Sequence, residues 1–131
     1  MQRRSSRTTE VSANELVGTL PTQLGLLTAL SSSVRFRQNS LHGTIPTELG
    51  LWSNMRWSFV AHTNSFEGTI PTQIGQWTRF VSNCLLYKNS FSRTIPTELG
   101  RWTKLTNSFS VWSNGLTGSL PSEIGAWTGM Q

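Results

Sequence analysis

The sequence predicts an α/β repeat fold. Each coil of a right-handed solenoid would add a short parallel strand to one face and a helical or 3-10 turn to the convex side. Three observations carry this. All five prolines, Pro21, Pro46, Pro71, Pro96 and Pro121, stand twenty-five residues apart. Gly25, Gly50, Gly75, Gly100 and Gly125 keep that period, as do Asn14, Asn39, Asn64, Asn89 and Asn114. Within each unit the apolar residues change from a spacing of three or four to strict alternation. A fixed period of roughly 20–50 residues marks a chain whose units contact only their neighbours.

The elements follow in chain order. Residues 1–7 read as a flexible basic tail with Arg3, Arg4 and Arg7, and no apolar segment follows that would make it a signal peptide. The array spans 8–131 and opens on a strand in which Thr9 and Val11 fill the strand columns. Full repeats cover 16–40, 41–65, 66–90 and 91–115, with a partial repeat at 116–131. In the unit 41–65, Ile45, Leu49, Trp52 and Met55 have the spacing of one face of a helical turn. Phe59 and Ala61 then alternate with Val60 and His62, as in a strand. The first unit repeats this with Leu20, Leu24, Leu27 and Leu30 ahead of Val34 and Phe36, and the fourth with Ile95, Leu99, Trp102 and Leu105 ahead of Phe109 and Val111. The asparagine closes each strand, and a glycine and the proline mark the turn that follows, as at Gly43 and Pro46.

Val34-x-Phe36-x-x-Asn39-x-Leu41 and its copies resemble the LxLxxNxL core of leucine-rich repeats. The segment GTIPTELG at 43–50 is similar to the LxGxIPxxLG stretch of the plant-type subclass. That subclass is common in receptor-like kinase ectodomains and in secreted inhibitors of cell-wall-degrading enzymes. The resemblance implies a recognition module rather than an enzyme, and an extracellular or cell-surface location. Three features depart from the pattern. Each repeat has one extra residue, between Met55 and Phe59 in the second unit. Arg93 stands where other units have Gly18, Gly43, Gly68 and Gly118, so that turn must avoid a strongly positive φ or bear strain. The paired cysteines that often cap such ectodomains are absent, Cys84 being the only cysteine.

Columns that keep the register predict stacking. The asparagines should form a ladder that bonds the backbone of adjacent coils. Trp52, Trp77, Trp102 and Trp127 should stack in the core with their ring nitrogens reaching the surface. The Thr and Ser residues flanking each proline should cap or tighten turns, and the glycines should serve turns. Cys84 takes a core strand position.

Function classes narrow in the same way. The net charge is +5 with no Asp, but the cations beyond the tail are scattered and no nucleic-acid motif accompanies them, so no nucleic-acid partner is expected. No apolar run nears the roughly 18 residues of a membrane span. With only His42 and His62, on different faces, neither a catalytic set nor a metal site assembles. No glycine loop suited to a phosphate cofactor is present. No catalytic residue, metal or cofactor is therefore expected.

Function should lie where the columns vary. On the outward side of the strands, which line the concave face, one column runs Arg35, Val60, Leu85 and Ser110. The next runs Arg37, His62, Tyr87 and Trp112, and Lys88 lies just past the strand. These nine residues are the candidate surface for a protein or peptide ligand, because Arg, Tyr and Trp are enriched at binding hot spots. Two other readings compete: an ice-binding or surface-ordering protein using the threonine columns, and a carbohydrate-binding module using Trp57 and Trp112. Neither end has a polar cap, which predicts either a longer array or end-to-end self-association.

Overall fold

The computed structural model describes residues 8–130; the tail expected at 1–7 and Gln131 lie outside the described residues. Ten strands are present among them: β1 Thr9–Glu10, β2 Val17–Gly18, β3 Val34–Arg35, β4 Ser40–Gly43, β5 Phe59–Val60, β6 Ser65–Gly68, β7 Cys84–Leu85, β8 Ser90–Arg93, β9 Phe109–Ser110 and β10 Gly115–Leu116. They form two parallel sheets, ordered β1-β3-β5-β7-β9 and β10-β8-β6-β4-β2. Each partner in the first sheet sits one period along the chain, as in Val34↔Phe59 and Cys84↔Phe109. The chain therefore coils once per repeat.

The first sheet is the one the alternation predicts. The second was expected only as a turn. It forms because the asparagine ladder does more than close a strand. Asn64 Nδ2 donates to the Phe36 carbonyl of the previous coil at 3.0 Å and to its own coil's Ala61 carbonyl at 3.2 Å. Its Oδ1 accepts the Leu41 amide at 3.1 Å, which orients the backbone of β4. Asn89 and Asn114 do the same for Phe66 and Phe91. Extended backbone held in this way on successive coils pairs with its copy.

A 3-10 turn follows each proline, at Thr22–Leu26, Thr47–Leu51, Thr72–Gln76, Thr97–Arg101 and Ser122–Ala126. Proline suits the position before the turn, where the chain is extended (Pro46 φ −61°, ψ 134°) and its missing N–H costs nothing. The hydroxyls do not cap these turns. Thr47 and Thr97 instead bond the Glu48 and Glu98 carboxylates, while the methyls of Thr19, Thr44 and Thr94 lie under the turn glycines of the next coil.

The Gly50 and Gly75 column is also not a turn requirement. A Cβ on Gly75 would lie 2.6 Å from the Glu98 carbonyl oxygen, and one on Gly50 2.7 Å from Gln73 Cβ. Glycine is needed there because adjacent coils approach too closely for any side chain.

Positive φ occurs in two places. The turn glycines have it, and Arg93 shares it at φ 65°, so that turn bears the strain. A left-handed residue with a Cβ costs about 1–2 kcal/mol, and glycine gives back part of that in unfolded-chain entropy. Arg93→Gly should therefore raise stability by about 0.5–1 kcal/mol in urea denaturation; a loss would show that the side chain compensates. The second place carries no glycine at all: Gln38, Thr63, Lys88 and Ser113 adopt φ of 53–57° just after the first-sheet strands. The ladder asparagine follows each of them and fastens the corner.

The core is a column of rings. Trp52, Trp77, Trp102 and Trp127 stack with centroids 6.0–6.1 Å apart, and Phe59, Phe80 and Phe109 meet them edge-on or tilted. Their ring nitrogens do not reach the surface. Trp52, Trp77, Trp102 and Trp127 Nε1 donate to the carbonyls of Leu24, Leu49, Ile74 and Leu99 in the preceding coil, at 2.8–3.0 Å. Leu27 has no such bond to make and is half-exposed. Cys84 is fully buried, and burial pushes its thiol pKa far up, which removes it as a nucleophile. At the two ends Val17, Leu26 and Leu120 are exposed, and Gly125 has no neighbouring coil against it.

Candidate functional site

The outward residues of the first sheet form one surface. Register pairing sets Glu10, Arg35, Val60, Leu85 and Ser110 side by side, one per coil. The next column, Arg37, His62, Tyr87 and Trp112, lies just past the strands. There the backbone ladder continues through Gln38 N to His62 O, Thr63 N to Tyr87 O and Lys88 N to Trp112 O, at 3.0–3.1 Å.

Coils one strand spacing apart, about 4.8 Å, bring flat side chains of one column into stacking contact. His62 and Tyr87 stack with centroids 4.2 Å apart and planes 10° apart. Tyr87 and Trp112 continue the stack at 4.9 Å and 8°. Lys88 Nζ sits 5.2 Å from the Trp112 ring centroid, a cation–π contact that places charge at the open end. Arg35 pairs with Glu10 at 3.3 Å, both side chains partly exposed, so the pair adds little stability but holds Arg35 in place.

Val60 and His62 point outward but are covered, at 5% and 7% exposure. The cause is the coil spacing: a medium side chain flanked by larger ones in its column is enclosed by them. Leu85, Ser110 and Tyr87 are half-buried, while Arg37, Lys88 and Trp112 are exposed, the last at 55%. The open contacts of this face are thus Arg37, Tyr87, Lys88 and Trp112. Val60 and His62 support them. Sequence reasoning missed Glu10, although it stands one period before Arg35.

Burial lowers the His62 pKa below 6.5, and the charges of Arg37 and Lys88 lower it further. The folded protein therefore holds His62 neutral near pH 7. With a folded pKa below the unfolded one, the stabilisation is complete above about pH 6.5 and is lost as pH falls through the folded value. We expect thermal stability to decline between pH 7 and 5.5, and His62→Gln to flatten that decline. Parallel curves for the two proteins would remove His62 as the cause.

The other recesses differ in chemistry. A groove of about 1030 Å³ is lined by both threonine rows, Thr19, Thr44, Thr69, Thr94 and Thr22, Thr47, Thr72, Thr97. All eight threonines are exposed; they line a concave groove, whereas ordering water against a crystal face calls for a flat array, and that shape alone counts against the ice-binding reading. Trp57 and Trp112 do not share a platform. Trp57 lines a separate cleft in the loops that lead into the first sheet, while Trp112 ends the ring stack. Among the described residues no group of three His, Cys, Asp or Glu could hold a metal ion, and no helix is long and apolar enough to cross a membrane.

No family model matches the sequence, and no curated protein matches it. Solved structures do. The ectodomain of the Arabidopsis thaliana membrane receptor kinase GASSHO1/SCHENGEN3, in complex with CASPARIAN STRIP INTEGRITY FACTOR 2, superposes with a TM-score of 0.88 at 32% identity over 95% of this chain. The plant peptide hormone receptor RGFR1, in complex with RGF2, gives 0.86 at 30% over 95%. The chain is a plant-type leucine-rich-repeat protein. The Arabidopsis receptor kinase HAESA, in complex with the peptide hormone IDA and the co-receptor SERK1, gives 0.80 at 29% over 94%. The leucine-rich-repeat chain spans only 14%, 19% and 20% of these three structures. Its two parallel sheets and 3-10 turns fit a leucine-rich-repeat solenoid.

Proposed function

We propose that this leucine-rich-repeat chain is a non-enzymatic recognition module that binds a protein or peptide on the face of its first sheet, the concave face in this architecture. Three of the structures it resembles are receptors in complex with a peptide hormone or a named factor. The resemblance also supports a segment of a receptor-like or secreted protein acting outside the cell.

The observation that carries the reading is the stack of His62, Tyr87 and Trp112. Its inner faces are occupied by one another, so it offers ring edges, the Tyr87 hydroxyl and the exposed ring of Trp112 at the end of the stack. These are rigid amphipathic anchors whose ordering cost falls on folding and not on binding. Arg37 and Lys88 flank them with positive charge, which suits a segment that mixes aromatic or aliphatic residues with acidic ones.

The test is a random peptide library selected against the intact chain. Enriched peptides should bind the Tyr87→Ala/Trp112→Ala variant at least about 2 kcal/mol more weakly, roughly thirtyfold. Trp57→Ala should leave their affinity unchanged. Peptides that bind the double variant as well as the parent would overturn the assignment.

A further inference from the structure

The cleft beside Trp57 is built from charges that the recognition face does not use. Arg56, Arg79 and Lys104 line its volume of about 670 Å³, together with Asn54, Ser31 and Trp57. No carboxylate lines it among the described residues. The only ion pair among those residues, Arg35 with Glu10, is on the first-sheet face, and Glu48 and Glu98 border the threonine groove instead. Three cations thus converge with no counter-charge, an arrangement that repels itself and attracts anions.

The cleft is also held in shape. The Val81 amide donates to the Arg56 carbonyl at 2.9 Å, and the Thr106 amide and hydroxyl donate to the Val81 carbonyl at 3.0 and 2.9 Å. Asn83 Nδ2 contacts the Ser58 and Ser82 hydroxyls at 3.4 and 3.2 Å. This hydroxyl and amide cluster lies where each repeat carries its extra residue. Arg79 Nη1 donates to Asn54 Oδ1 at 3.2 Å, and the Arg56 guanidinium lies 5.4 Å from the Trp57 ring centroid. Asn54, Arg79 and Lys104 occupy one column, so polar groups repeat along the solenoid axis at about the 4.8 Å strand spacing.

We propose that this cleft binds a linear saccharide chain bearing sulfate or phosphate esters, laid along the axis with its anionic groups on Arg56, Arg79 and Lys104. Trp57, 46% exposed, supplies one ring platform, and Asn54 and Ser31 supply hydrogen bonds to hydroxyls. A single-stranded nucleic acid fits less well, since it needs an aromatic platform for successive bases and Trp57 is the only aromatic residue lining the cleft.

Heparin oligosaccharides titrated into the full chain at low salt, followed by calorimetry and tryptophan fluorescence, test this. Binding should be saturable and perturb Trp57 emission, while uncharged dextran should not bind. Arg79→Gln/Lys104→Gln should weaken heparin binding by about tenfold or more and flatten its salt dependence, as loss of two counter-ion-releasing contacts requires. Neutralising Arg3, Arg4 and Arg7 should change affinity by less than about threefold, because the proposal assigns the anionic groups to Arg56, Arg79 and Lys104. The proposal is overturned by absence of heparin binding, by equal affinity in the double variant, by loss of binding in the tail variant, or by an oligonucleotide that binds as tightly as heparin and loses as much. Neither Arg79 nor Lys104 belongs to the first-sheet face, so its peptide-binding test succeeds or fails independently.

Discussion

Trp77→Ala should destabilise the chain by about 4 kcal/mol or more, a large share of the 5–15 kcal/mol typical of a domain. Trp77 is fully buried and stacks on Trp52 at 6.0 Å and on Trp102 at 6.1 Å. Phe59 and Phe80 pack on the same ring, and its Nε1 donates to the Leu49 carbonyl at 2.9 Å. Alanine would leave a ring-sized void and remove a direct hydrogen bond between consecutive coils. In a solenoid, stability is a sum of repeat and nearest-neighbour terms, so a break at the middle coil uncouples the array. Urea unfolding should move to a lower midpoint and lose cooperativity. Trp112→Ala, on the open face, should shift stability by no more than about 0.5 kcal/mol. Equal losses for the two would contradict the division between a stacked core and a separate outer stack.

The second large effect is expected at Asn64. Its amide bonds the Phe36 and Ala61 carbonyls and accepts the Leu41 amide, so alanine would remove three hydrogen bonds between and within coils and strip the Leu41 amide of its partner, while the two carbonyls keep Asn39 and Asn89. At about 1 kcal/mol for each lost hydrogen bond, more where a buried group stays unsatisfied, Asn64→Ala should cost about 3 kcal/mol. Asn64→Asp should not rescue it, because a carboxylate keeps the acceptor, loses the donor and faces two carbonyls. Asn14, at the exposed end of the ladder, bonds only Val11 and Ser12 carbonyls of its own coil, and Asn14→Ala should cost under about 1 kcal/mol. Thermal or urea unfolding of the three variants reads the gradient directly. A flat response along the ladder would show that the column is not what joins the coils.

Much of the fold was legible because a repeating chain states the same requirement five times. Pro46, Asn64 and Trp77 each mark a column whose role follows from its register. What escaped is what depends on the neighbouring coil rather than on the residue itself. Gly75 looks like a turn residue in sequence, yet its constraint is the Glu98 backbone. The Trp52 nitrogen finds its partner in Leu24, 28 residues back, a distance that no local pattern reveals. The left-handed corner at Lys88 carries no glycine to announce it.

The candidate face was half legible. Its columns follow from the period, but the covering of Val60 and His62 depends on the size of their flanking residues. The stack of His62, Tyr87 and Trp112 depends on three unlike rings falling into one column. The cationic cleft was hidden for a related reason. Arg56, Arg79 and Lys104 are far apart in the sequence and look scattered until the coils bring them together.

Amide hydrogen exchange, with and without a peptide selected on the intact chain, tests the central claim most directly. The recognition reading predicts that the peptide slows exchange in the segments around residues 85–88 and 110–113, where Tyr87 and Trp112 present their edges, and leaves the threonine groove unchanged. Protection confined to the 3-10 turns around residues 72–76 and 97–101, with none on the first sheet, would contradict it.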